Sequence, residues 1–135
     1  MIKAVSDSII HRLGAYSPLN GELSGRMYFQ MAPQDDAFPY CTFMFINIGQ
    51  DEIMGGASDN ITLIDLQFSL FSDSEGGGEE IAALTETLKD CYHWFELIID
   101  GWTCLKMQRE NVLPILYIDE IWQSTSEFSL WIQSE

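Results

Sequence analysis

The residues able to do chemistry are few and widely spaced. Cys41, Cys91 and Cys104 are odd in number, form no CxxC pair and show no zinc-ligand spacing. Cys41 falls in a strand-like run and Cys91 on an apolar helical stripe, so all three read as buried thiols rather than nucleophiles. His11 and His93 each lie in a helical stretch with no second histidine or cysteine at ligand spacing, which reads as a structural or surface role. No serine sits in GxSxG and no glycine-rich phosphate loop is present. GEEIAAL (78–84) opens a helix with acid, which repels phosphate. DEIMGGASDN (51–60) carries three carboxylates but lacks the alternation and closing glutamate of a calcium loop. Paired carboxylates could do acid–base work, but with 21 acidic residues nothing singles out a pair. The expectation is a protein without catalytic, metal or cofactor residues.

The 135 residues fit one domain spanning 1–135, large enough to bury a core without disulfide or metal. Twenty-one acidic residues against six basic ones give a net charge of −15. Such a surface repels nucleic-acid phosphate and anionic membranes and favours solubility and cationic partners. No apolar run approaches the ~20 residues of a membrane span, and polar Ser6, Asp7, Ser8 and His11 occupy the place of a signal peptide's apolar core. The expectation is a protein kept in the cell that makes it, with neither nucleic acid nor membrane as partner.

Hydrophobic spacing supplies the framework. Ile2, Val5, Ile9 and Leu13 mark a helix over 2–13. A polar loop over 15–25 precedes a short strand, 26–31, ended by Pro33. Residues 40–48 form a strand apolar on both faces, hence covered on two sides. Residues 49–60, with Asp51, Glu52 and Gly55–Gly56, read as a mobile acidic loop. ITLIDLQFSLF (61–71) alternates as a strand with one buried face, and Ile81, Leu84, Leu88, Cys91 and Phe95 mark a helix over 79–95. Beyond Gly101, TCLKMQ is a doubtful strand, VLPILYI carries Pro114 and suits an edge or bulge, and 121–133 is a final strand. The fold class expected is α+β: a mostly antiparallel sheet of four or five strands with an N-terminal helix and a second helix packed against it. Trp131, on the polar-leaning face of the last strand, is the tryptophan best placed for an interface.

GRMYFQMAPQDDAFPYCTFMFI (25–46) joins two strands through a turn held between Pro33 and Pro39, which limit φ and lower the cost of ordering Gln34, Asp35, Asp36 and Phe38. This segment resembles the small tail-completion, or tail-terminator, proteins of long-tailed bacteriophages. Gly25, Arg26, Tyr28, Ala32, Pro33, Gln34, Pro39 and Tyr40 carry the likeness, with the N-terminal helix ending near HRLGA and the closing strand SEFSLWI. The flexible SEGGGEE and the bulky CYHWFELIIDGW depart from the family pattern. The resemblance implies a structural, non-enzymatic subunit, assembled in a bacterial cytoplasm and carried in a virion tail. Its members form rings, hexameric in the family, that cap the tail tube and meet the head connector. The implied partners are therefore copies of itself, the tail-tube protein and a head-connector protein. Arg26, Pro33, Gln34, Asp35, Asp36 and Phe38 would then form a ring-edge contact, with Asp51, Glu52 and Trp131 as further interface candidates. Two other readings fit the composition: a small acidic dimeric secretion chaperone or adaptor, and an enzyme with unrecognised carboxylates. A chaperone dimer uses one patch twice, whereas a ring needs two different patches.

Overall fold

The computed structural model describes residues 1–52, 60–75 and 77–134, with the side chains of 50–52 and 60 left aside. Its elements run α1 (Ile2–Ala15), α2 (Ser17–Leu23), β1 (Met27–Phe29), β2 (Tyr40–Glu52), β3 (Asn60–Ser72), α3 (Glu79–Tyr92), β4 (Ile98–Ile99), β5 (Trp102–Val112), β6 (Leu116–Ile118) and β7 (Ile121–Ser134). The strands form one sheet in the order β1-β2-β3-β7-β5-β4, with β6 added to β7. β1 runs parallel to β2 and the other pairings are antiparallel.

This corrects the expected architecture. The described residues form seven strands and three helices, and the sheet curls into half a barrel, where four or five strands and two helices were expected. The stretch 15–25 is not all loop, since α2 occupies most of it, with Pro18 in the first turn where a missing N–H costs nothing. Residues 49–52 extend β2 rather than opening a loop. The expected mobility of the 49–60 segment falls mainly on residues 53–59, which lie outside the described residues.

Alternation explains the layering. Along β3, Ile64, Leu66, Phe68 and Leu70 point to one face, in register with Leu130, Phe128, Ser126 and Ser124 of β7. That face carries the core, packed with Phe43, Met107 and the buried stripe of α3 (Ile81, Leu84, Leu88, Cys91). Three rings centre it: Phe68 stacks on Tyr92 at 5.1 Å and meets Phe128 edge-on at 5.2 Å. The Tyr92 hydroxyl donates to the Ile9 carbonyl at 2.7 Å, tying α3 to α1. Thr85 and Ser124 share a buried hydroxyl contact of 2.6 Å between α3 and β7. The opposite face carries Asp65, Gln67 and Ser69 on β3 with Thr125, Glu127 and Ser129 on β7.

Bulges set the phase of two strands. A register shift at Ile46 divides β2, and shifts at Leu105 and Glu110 divide β5. Beside the second, the Trp94 N–H donates to the Met107 carbonyl at 2.7 Å and the Arg109 N–H donates to His93 Nδ1 at 3.0 Å. The turn after α3 thereby covers the middle of the β5 edge.

Candidate assembly interface

The turn between β1 and β2 is fastened from within. Arg26 Nε donates to the Pro39 carbonyl at 2.9 Å and Nη2 to the Phe38 carbonyl at 3.4 Å. Two turn residues, Gln30 and Asp35, take left-handed φ values of 69° and 61°. The Phe38–Pro39 peptide is cis. Pro33, Gln34 and Asp35 are exposed, while Asp36 and Phe38 are half-buried. The Phe38 ring lies 5.2 Å from Tyr40, which stacks on Phe71 at 4.9 Å, so the turn stands on an aromatic ladder rooted in β3. The Asp36 Oδ1 accepts the Ala37 N–H at 2.9 Å, and hydrogen bonding to Asp36 pushes the Tyr28 hydroxyl above its ordinary pKa. Between turn and sheet runs an open groove of about 540 Å³ bordered by Gln30, Pro33, Asp36, Tyr40, Phe71 and Ile121. Six expected interface residues thus come together, with Arg26 bracing the turn from below and the other five shaping it.

The remaining candidates lie elsewhere. Asp51 and Glu52 sit at the far end of β2, paired in register with Ile61 and Asn60. Trp131 is half-buried on the sheet face that the helices leave uncovered, in register with Leu63 and Lys106. The Lys106 ammonium lies 5.7 Å from the Trp131 ring centroid and 5.6 Å from that of Trp94, a cation shared by two indoles. Trp94 is 62% exposed and held at φ 62°, a conformation unusual for a bulky residue. Its edge meets the His93 ring at 5.0 Å. Burial, followed by the nearby Lys89 and Arg109 charges, lowers the His93 pKa, in keeping with an Nδ1 that accepts a hydrogen bond.

A further exposed apolar surface lies outside the candidate residues. All ten residues from Asn111 to Glu120 are exposed, among them Val112, Leu113, Ile115, Leu116, Tyr117 and Ile118. They run from the end of β5 through β6 to the β6–β7 turn, which closes at Asp119 and Glu120 with φ of 54° and 65°; the Leu113 N–H anchors the stretch by donating to the Thr125 carbonyl at 2.9 Å. Pro114 marks the stretch as an edge in the sequence, and in the structure none of the described residues covers these side chains. Contiguous exposed apolar side chains of this kind are uncommon on a monomer and are a candidate interaction surface.

A wider groove of about 740 Å³ lies between α1 and β4, bordered by Lys3, Asp7, His11, Ile98 and Asp100. Lys3 is consumed there by Asp7 at 2.7 Å. The described residues hold no group of three or more metal-binding side chains. The three thiols are buried and their pKa values rise: Cys91 is pushed up to about 11 by burial and Cys41 further still, the opposite of what a nucleophile needs. None of the described helices is long and apolar enough to cross a membrane.

No protein-family model matches the chain, and no curated protein matches it significantly by sequence. Among solved structures, a chain from the virion of a native gene transfer agent particle superposes with a TM-score of 0.83 at 12% identity, covering 98% of this chain and 97% of that one. A second solved chain, known by a sequence label alone, superposes with a TM-score of 0.69 at 9% identity over 100% of this chain and 97% of its own length. At these identities the shared property is the fold, and this chain has the fold of a protein found in a gene transfer agent virion.

Proposed function

We propose that the chain is a structural subunit of a phage-like particle, and within it the ring that caps the end of the tail tube and joins the tube to the head connector. The observation that carries the reading is the fold likeness to a virion chain over nearly the whole length of both molecules. The resemblance of Gly25–Tyr40 to the tail-completion pattern is what favours the finer position in the particle. The surfaces agree with it. A subunit in a ring needs two different faces for its neighbours and at least one more for the tube or connector. The braced turn at Pro33–Phe38, the tryptophan–lysine patch and the exposed apolar stretch at 112–118 are three candidates. A net charge of −15 keeps DNA phosphate from adhering to a ring through which a genome passes. The ring is hexameric in this reading, its work is geometric, and it needs no cofactor.

Deleting the gene in a strain that produces the particle tests this. Electron micrographs are expected to show tails without heads and tubes of irregular length, restored by the wild-type gene in trans. Normal particles from the deletion strain would overturn the proposal.

A further inference from the structure

The six basic residues of this chain are nearly all committed. Lys3 pairs with Asp7, Arg109 lies 3.6 Å from Glu86, Arg12 is bound between α1 and α3, and Arg26 holds the turn carbonyls. Lys89 sits in the last turn of α3, where a cation suits the carbonyl end of the helix. Lys106 has no carboxylate partner among the described residues. It lies instead between Trp94 and Trp131 on the outside of the sheet. A lysine framed by two indoles, one of them largely exposed, has the composition of an interface hot spot for an acidic ligand.

The same chain presents such a ligand. The turn offers Asp35, exposed and held at φ 61°, with half-buried Phe38 as an apolar anchor beside it. Turn and patch cannot meet within one subunit. The turn hangs from β1 and β2, the patch sits on β5, and β3 and β7 lie between them. Three strand spacings separate β2 from β5, roughly 14 Å along the sheet. Two complementary patches on opposite sides of one sheet are what a head-to-tail contact between copies requires. For copies that each carry −15, approach is unfavourable unless the contact neutralises charge locally, and Lys106 is a group placed to do so.

We infer that a second copy of this chain docks its acidic turn, Asp35 with Phe38 as anchor, onto the Trp94–Lys106–Trp131 patch. The inference rests on the ring reading and names the residues of its subunit contact.

A charge swap tests it. The wild type, Lys106→Glu, Asp35→Lys and the double variant are compared by light scattering across protein concentration at low and high salt. The exposed Asp35 is chosen because its replacement leaves the Asp36 contacts in place. Each single variant is expected to weaken self-association by about tenfold or more, as a broken interfacial charge pair does. The double variant, which restores opposite charges across every contact, is expected to recover most of it. Trp94→Ala should weaken association with an unchanged melting temperature. Wild-type association in Lys106→Glu, or no recovery in a folded double variant, overturns the contact while leaving the ring reading standing. A wild type monomeric at every concentration and salt also overturns it, and the micrographs of the deletion strain then decide the ring reading separately.

Discussion

Arg12 sits over the ring of Phe95, with its guanidinium carbon 3.6 Å from the ring centroid. Its Nε donates to the Cys91 carbonyl at 3.0 Å, and Tyr16, just past the end of α1, flanks it at 4.8 Å. The charge therefore bridges the end of α1 to the end of α3, at a carbonyl terminus that favours a cation. With the Tyr92 hydroxyl on the Ile9 carbonyl, two polar ties hold α1 against α3.

Arg12→Ala removes the bond and both ring contacts. The expected loss is about 2 kcal/mol, within the range for a hydrogen bond from a charged group plus a cation–π contact. For a domain of this size that lowers the melting temperature by roughly 4–10 °C. Arg12→Lys keeps the charge but not the planar stacking and should fall between the two. Thermal unfolding followed by circular dichroism measures both. A melting temperature unchanged in Arg12→Ala would show the bridge to be incidental.

How far the sequence revealed this architecture depended on where alternation was left intact. β3 was readable because Ile64, Leu66, Phe68 and Leu70 keep strict phase over its length. α3 was readable because its stripe keeps helical spacing. β5 was doubtful because its bulge at Leu105 puts the buried Cys104 and Met107 three residues apart, which breaks the strand period. α2 was hidden by Ser17, Pro18, Asn20 and Gly21, all turn formers; only buried Leu19 and Leu23, four apart, signal a helix. β4 is two residues long, too short for any period. The turn residues were found together because they are neighbours in sequence. The Trp94–Lys106–Trp131 patch was not, because three segments far apart in the chain meet only through the β5–β7 register and the turn that covers the β5 edge.

The thiols predict a pH profile. A thiol whose pKa is higher folded than unfolded stays protonated in the native state, while the unfolded chain ionises from about pH 9. The unfolded state then holds fewer protons, so stability falls as pH rises. For Cys91 the decline should run from about pH 9 to about 11, with no thiol contribution below that window. Cys41 extends it upward. Unfolding by denaturant from pH 7 to pH 10.5, compared with Cys91→Ala, gives the profile. The native protein should also resist alkylation at pH 8 and react at all three cysteines once unfolded. Rapid alkylation of the folded chain would contradict the buried placement.

The hairpin turn offers a stabilising change. Asp119 and Glu120 both adopt left-handed φ at the two central positions of the turn joining β6 to β7. Asparagine and glycine suit those positions far better than aspartate and glutamate. Asp119→Asn with Glu120→Gly should raise stability by about 1 kcal/mol. Denaturant unfolding checks it. Destabilisation would mean that the acidic side chains hold the turn through contacts of their own.

The apolar hairpin should be dispensable for folding and required for partnership. Leu116 and Ile118 are 48% and 57% exposed, so replacing both with serine removes little buried surface. The expected stability change is within about 0.5 kcal/mol for each. Binding of an environment-sensitive apolar dye should drop, and particles made with the variant should fail at head–tail joining. Full complementation of the deletion strain by this double variant would remove the hairpin from the proposed joining surface.

Phe38 separates a contact role from a core role most sharply. Its ring is half-buried against Tyr40, and Arg26 donates to its carbonyl and to that of Pro39. A core phenylalanine cut to alanine costs about 3–5 kcal/mol, because a sealed cavity remains. Phe38 borders an open groove, so no sealed cavity forms, and the ladder of Tyr40 on Phe71 survives without it. The expected cost of Phe38→Ala is therefore about 1 kcal/mol, mainly the lost ring contact and partial burial. Self-association should fall by far more than that stability change explains, since the ring is the apolar anchor offered to the neighbouring copy. Phe38→Leu, which keeps an apolar anchor, should recover association in part. Melting temperature and light-scattering mass measured on the same samples decide between the roles. A loss of 3 kcal/mol or more with association intact would make Phe38 part of the core and leave the turn without its anchor.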